Sequence, residues 1–177
     1  MYAYIKGTLT YHSPTYVILE AGGIGYEVNI SLHTYDELPA SQECCLYTYL
    51  AVREDAQVLY GFSSTAEKQL FSHLISVSGI GPNSARMILS YTEPPQLKQA
   101  IIEGNLSLLK SIKGVGPKSG QRIIVELQDA LKKESGDSAA PASEAVQSSN
   151  DYQQAREGLI MLGFKQEEAE KALTKVM

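Results

Sequence analysis

Leu74-Ile75-Ser76-Val77-Ser78-Gly79-Ile80-Gly81-Pro82-Asn83-Ser84-Ala85 is answered 35 residues later by Leu109-Lys110-Ser111-Ile112-Lys113-Gly114-Val115-Gly116-Pro117-Lys118-Ser119-Gly120. The two stretches share the leucine, a serine, the Gly-x-Gly-Pro core and a second serine. An internal repeat is sought first because it fixes the architecture. Each copy has an apolar helical approach, a Gly-aliphatic-Gly turn and a helix that starts at proline. Leu70, Phe71, Leu74 and Ile75 recur at helical spacing before the first turn, and Ala85, Ile88 and Leu89 after it. Leu109 and Ile112 lead into the second turn, and Ile124, Leu127 and Leu131 follow it. Pro82 and Pro117 stand where proline suits a helix, at its first position. Ile80 and Val115 are placed to turn inward and pin each helix pair together.

The glycines permit positive φ and let another backbone come close. The N–H groups that open the second helix of each pair form an electropositive nest, which favours an anion. A nucleic-acid phosphate fits such a nest without any base being read. The plainer alternative is a helical hairpin whose glycines serve tight packing; duplication of the whole pattern favours phosphate. Other glycine motifs fail on spacing. Lys118-Ser119 follows Pro117, so there is no P-loop, and Ser119 stands where a dinucleotide fingerprint needs its third glycine.

Charge follows the same division. The whole chain carries a net −5. Residues 1–63 hold two basic and seven acidic side chains, a net of −5. Residues 64–134 hold nine basic and six acidic, a net of +3, and residues 135–177 hold four and seven, a net of −3. The positive segment is the one that carries the repeat. Salt screens charges beyond about 8 Å, so local sign outweighs the total.

Residues 1–62 read as all-β. Thr15–Glu20 and Tyr26–Ile30 flank the glycine-rich turn Ala21–Gly25, and Cys45–Val52 pairs with Gln57–Tyr60 across Arg53-Glu54-Asp55-Ala56. Several short strands in this length suggest a small closed barrel of the OB type. Eight of the eleven tyrosines precede residue 50, most of them for barrel packing and strand propensity. Cys44 and Cys45 are neighbours on a strand, so they face opposite ways and make a poor disulfide and no zinc site. They read as structural residues in a reducing compartment. Ser64-x-x-Glu67 reads as a capping box opening the helical segment. Pro94-Pro95 breaks the chain after the first hairpin. Leu97, Ala100 and Ile101 stripe a connecting helix that Gly104 ends, and Asn105 caps the next one. Residues 134–150 are small, polar and aperiodic, a flexible linker. Ala155, Leu159 and Leu162 share a helix face, Met161-Leu162-Gly163-Phe164 has the helix–turn pattern of UBA-like modules, and a second helix follows.

The tandem helix-hairpin-helix, the stretch Val52-Arg53-Glu54-Asp55-Ala56-Gln57-Val58-Leu59-Tyr60-Gly61-Phe62 and the small C-terminal module together resemble the RuvA family. Its members are the Holliday-junction-binding subunits of the bacterial branch-migration complex. The resemblance covers residues 1–133 and, more weakly, 151–177. It implies an OB-fold-like barrel with an acidic pin over 1–63 and a tandem helix-hairpin-helix DNA-binding domain over 64–133. A linker over 134–150 and a short UBA-like module over 151–177 complete the chain. It implies four-way-junction binding in homologous recombination, DNA repair and the SOS response. The partners it implies are the RuvB motor ATPase, gripped through Leu159, Leu162 and Phe164, and the RuvC resolvase in a larger complex. A homotetramer or octamer is the implied assembly. The family's module has three helices, and this sequence offers two. Glu54 and Asp55 match the family's acidic pin, where four tips meet near the crossover. The expected DNA contacts are Gly79, Gly81, Asn83, Ser84 and Arg86 in the first hairpin. In the second they are Lys113, Gly114, Gly116, Lys118, Ser119 and Arg122. Asn83 stands where the second copy has Lys118, and Arg86, one turn on, is expected to compensate.

Two other classes compete. A hairpin-containing nuclease or glycosylase, or an accessory to one, needs a placed acid and often a lysine. Asp129 reads instead as a solvated helix face, and His12, His33 and His73 are scattered without a metal-ligand pattern. A pure protein adaptor leaves the duplicated nests unexplained. The expectation is a non-catalytic DNA-binding subunit with no cofactor or metal. No membrane-spanning run or leader pattern is present, so a cytoplasmic location is expected.

Overall fold

Alternation of apolar and polar side chains folds the N-terminal third into five strands. They are β1 (Tyr4–His12), β2 (Tyr16–Ala21), β3 (Ile24–Ile30), β4 (Glu43–Val52) and β5 (Gln57–Phe62). The computed structural model describes residues 2–39 and 42–136. Residues 134–136 of the expected linker are helical, and residues 137–150 and the C-terminal module, with Leu159, Leu162 and Phe164, lie outside the described residues. The strands close into a barrel in the order β1-β2-β3-β5-β4, and only β3 and β5 run parallel. This is the OB-type order. Gly22 and Gly23, at φ 60° and 79°, make the two-residue turn between β2 and β3, as the primed hairpin turns require. Ile5, Leu9, Val17, Leu19, Val28, Ile30 and Leu46 fill the interior. Cys44 is half-buried against that core and Cys45 is exposed, as neighbours on a strand must be.

The first 62 residues are not all-β. Helix α1 (Leu32–Glu37) intervenes, with the Ser31 hydroxyl accepting from Thr34 N–H at its start. Six residues hold too few internal bonds to persist alone, so the helix is fixed by what it packs on.

Strand β5 belongs to two cores at once. A Cβ on Gly61 would lie 2.5 Å from Val28 Cγ1, so this position faces the barrel interior and has no room for a side chain. Tyr60 and Phe62 face the other way, onto Phe71, at ring distances of 5.4 and 4.8 Å. Phe71, fully buried, joins the barrel wall to the helical core.

That core is built by α2 (Thr65–Ser76), α3 (Pro82–Tyr91), α4 (Pro94–Glu103), α5 (Leu106–Ser111) and α6 (Pro117–Gly136). Pro82, Pro94 and Pro117 each open a helix. Gly104 ends α4 in the left-handed region, and the Asn105 side chain caps α5. Ser64 caps α2 through Glu67 N–H, but the capping box is incomplete. The Glu67 side chain does not return to the cap. It is fully buried, and its carboxylate accepts from the Ser31 hydroxyl, the Thr34 hydroxyl at 2.6 Å and Ser63 N–H at 3.3 Å. It joins α1 to α2 across the boundary between barrel and helices.

Candidate nucleic-acid interface

The repeat in sequence is a repeat in hydrogen bonds. Val77 N–H donates to Leu74 O, Ile80 N–H to Val77 O and Ala85 N–H to Gly81 O. Ile112 N–H donates to Leu109 O, Val115 N–H to Ile112 O and Gly120 N–H to Gly116 O. Val77 and Ile112 are each 1% exposed, and Ile80 and Val115 are each 7% exposed, so both turns are pinned inward by the same two positions. In each turn the first glycine has positive φ, 88° at Gly79 and 91° at Gly114. The second glycine does not. Gly81 sits at φ −89°, ψ 171°, open to any residue, and a Cβ on Gly81 or Gly116 would meet nothing within 4 Å. Neither backbone strain nor packing within the chain explains glycine there. Both positions leave open space beside the start of the following helix.

Gly81 caps α3 with no side-chain bond, so the N–H groups of Asn83 and Ser84 point outward from the helix start. Gly116 has no side chain to cap α6, which leaves Lys118 and Ser119 N–H in the same position. Helices α1, α2 and α5 carry side-chain caps, from Ser31, Ser64 and Asn105, while α4, which opens after Glu93, does not. The partial positive charge of each open terminus suits an anion. Lys113, Gly114, Gly116 and Lys118 are exposed around the second nest, and Gly79, Asn83 and Ser84 around the first.

The two arginines expected at phosphates are engaged within the chain. Arg86, expected to make good the lysine missing from the first copy, turns one guanidinium nitrogen to the barrel. Its Nη1 donates to Thr15 O at 2.9 Å and Ile30 O at 3.2 Å, both on the barrel. Arg122 donates from Nη1 to Ser78 O at 2.8 Å, and Glu126, 4.0 Å from its Nε, accepts from Ser78 N–H. Both peptide groups of Ser78 are thus held by α6, which ties the first turn to the second hairpin. These partners lie 71, 56 and 44 residues away in the chain, and no local pattern points to them.

Helix α3 meets the barrel along one polar face. Asn83 Oδ1 accepts from the Tyr60 hydroxyl at 3.0 Å, Arg86 reaches the two carbonyls, and Ser90 Oγ accepts from Leu32 N–H at 3.1 Å. Sequence reasoning missed Tyr60 here, because strand alternation says only that it leaves the barrel. Burial pushes the Tyr60 hydroxyl above its ordinary pKa, and the charges of Arg86 and Arg53 offset part of that. Arg53 belongs to the turn between β4 and β5, closed by Arg53 N–H donating to Ala56 O at 2.8 Å. Glu54 and Asp55 are exposed at its tip. Asp55 precedes Tyr60 by five residues, so the acidic tip stands about 16 Å along the strand from the residue that touches the first nest.

Among the described residues no group of His, Cys, Asp and Glu could hold a metal ion, and no helix is long and apolar enough to cross a membrane. His33 pairs with Glu93 at 2.9 Å, His73 with Glu134 at 2.8 Å, and His12 stacks on Tyr35.

Comparison with known proteins gives three family matches. Residues 1–61 match the RuvA N terminal domain, residues 71–129 a SAM-like helix-hairpin-helix tandem, and residues 150–177 the RuvA C-terminal domain. The chain is 40% identical to the Holliday junction branch migration complex subunit RuvA of Christiangramia forsetii. It is 44% identical to that of Amoebophilus asiaticus and 42% identical to that of Bacteroides fragilis. Each match spans 100% of this chain and 90% of the relative.

Proposed function

This chain belongs to the RuvA family, and from that we propose that it binds Holliday junctions as the non-catalytic subunit of a branch-migration complex. The observation that carries the reading is the pair of glycine-lined, uncapped helix starts repeated 35 residues apart. Each offers backbone N–H groups to a phosphate and reads no base. The first hairpin adds the Asn83 amide, and the second adds the Lys113 and Lys118 ammonium groups. Arg86 and Arg122 act behind them, fixing the first hairpin to the barrel and to the second hairpin.

In this reading four copies surround the crossover, and the RuvB motor engages the module that carries Leu159, Leu162 and Phe164. RuvC joins as resolvase in the larger assembly. Glu54 and Asp55 face the strands near the centre. A carboxylate there repels phosphate, and what it opposes is a continuous duplex crossing the site.

Titration of a four-way junction against a linear duplex of equal length tests the function. The junction is expected to bind more tightly, and affinity for both to fall steeply with salt as phosphate contacts release counterions. Equal affinities, or a strong dependence on base sequence at fixed junction geometry, overturn it. The acidic tip gives a second expectation. The Glu54→Gln, Asp55→Asn double variant should bind duplex about three- to tenfold more tightly, since the two carboxylates removed together relieve about 1 kcal/mol of repulsion, the size of one close charge pair in water. Junction binding should gain less, so discrimination falls. An unchanged junction-to-duplex ratio in the same titration makes Glu54 and Asp55 a solvated turn and nothing more.

A further inference from the structure

We infer that Tyr60 is a positioning residue for the first hairpin: by donating to Asn83 Oδ1 it turns the Asn83 Nδ2 hydrogens toward the incoming phosphate. The inference rests on the reading of the hairpins as phosphate sites, and it names a residue that touches no DNA itself.

An asparagine beside an anion is ambivalent. Its amide is nearly symmetric in shape, with two donors at one end and an acceptor at the other. Pointed the wrong way it presents a carbonyl dipole to a phosphate and repels it. Asn83 is exposed at the start of α3, so the protein interior does not choose its orientation. A donor that occupies the oxygen does. Tyr60 suits that task because it is itself immobile. It is 3% exposed, its ring packs on Phe71, and its strand is paired on both sides, with Tyr49 across β4 and Asn29 across β3. A phenol is protonated at neutral pH, and this one donates to Asn83 Oδ1.

The second copy supplies an internal control. There Lys118 occupies the equivalent position, and an ammonium carries donors only. It needs no orienting partner, and it is exposed. The fold therefore places a rigid hydroxyl at the copy with the ambivalent side chain. With Arg86 Nη1 bound to barrel carbonyls, Asn83 and Ser84 are the exposed polar side chains at the first nest.

The test is a double-mutant cycle on the full chain, read by fluorescence anisotropy with a four-way junction at one salt concentration. Tyr60→Phe should weaken binding about threefold, and Asn83→Ala about three- to tenfold, the range for a neutral hydrogen bond and its orientation. The double variant should bind like Asn83→Ala alone, because Tyr60 has nothing left to orient. Asn83→Lys should rescue Tyr60→Phe to wild-type affinity or better. Wild-type binding by Tyr60→Phe overturns the inference. So does an equal further loss in the Asn83→Ala background, or a failure of Asn83→Lys to rescue; and so does a loss of binding in Tyr60→Phe that comes with a fall in its melting temperature, which is what a hydroxyl that only joins barrel to helix gives. Lys118→Ala separates the two levels. If Lys118→Ala and Asn83→Ala both bind like wild type, the phosphate reading fails and the inference with it. If both weaken binding and Tyr60→Phe does not, only the inference fails.

Discussion

Valine at both Gly81 and Gly116 is expected to cost about a hundredfold or more in junction affinity while the protein stays folded. The backbone at Gly81 already lies in the extended region, and a Cβ at either position enters open space. Stability should therefore fall by no more than about 1 kcal/mol per site, the penalty for a poor N-cap residue. DNA, by contrast, must come within hydrogen-bonding distance of the N–H groups those glycines expose. Each hydrogen bond to a charged phosphate is worth about 1.5–3 kcal/mol, so blocking one nest alone is a loss of roughly ten- to a hundredfold. Valine at Gly79 and Gly114 should behave in the opposite way. A φ near 90° is foreign to a β-branched residue, so the turn itself resists, and at Gly79 the new Cβ also lies 3.4 Å from Arg122 Nη1. Thermal melts and junction titrations on the two pairs separate these effects. A large loss of melting temperature in the Gly81, Gly116 pair with DNA binding retained sinks the assignment of those glycines to the ligand.

Glu67→Ala is expected to be the most damaging single substitution to the fold. The carboxylate is 0% exposed and receives the Ser31 and Thr34 hydroxyls and Ser63 N–H. Truncation leaves the two hydroxyls in the interior short of an acceptor, while Ser63 N–H keeps Thr34 Oγ1 at 3.1 Å, and it opens a cavity beside them. A buried donor left unsatisfied costs about 1–3 kcal/mol, so the two together cost about 2–6 kcal/mol. For a folded unit of this size that is a drop in melting temperature on the order of 10 °C. Glu67→Gln should lose less, because the hydroxyls can rotate to serve an amide while Ser63 N–H cannot. If alanine melts like wild type in a calorimetric scan, the network contributes nothing to holding barrel and helices together.

The hairpins were legible because everything that defines them is local. Leu74, Gly79, Gly81, Pro82 and their counterparts carry the turn within a few residues, and the copy at a fixed offset removes the ambiguity of one glycine pair. The strands around the Gly22-Gly23 turn were legible for the same reason. Strand β1 escaped notice, since Gly7 and the register shift between Leu9 and Tyr11 interrupt its alternation. Helix α1 was hidden because its cap, Ser31, and its anchor, Glu67, are 36 residues apart. The tertiary partners of the arginines are hidden from the sequence for the same reason. A basic residue one turn beyond a nest looks like a phosphate ligand until the barrel carbonyls that Arg86 reaches are known. Glycine at positions 81 and 116 does not take the positive φ that the sequence reading allows it, and the open space beside both is visible only in the fold.

The barrel's closure has one further consequence. Its other seams hold four to six residue pairs each, but the parallel seam of β3 with β5 holds three. A ring of strands breathes first where it is thinnest, so local opening begins there. Asn29 Nδ2 reaches across that seam to Leu59 O, and Arg86 grips Ile30 O at its end. Helix α3, free at its start, is therefore a hasp across the gap by its middle. A hairpin grafted out of this chain leaves behind an unfastened barrel, and a barrel excised alone lacks its fastening.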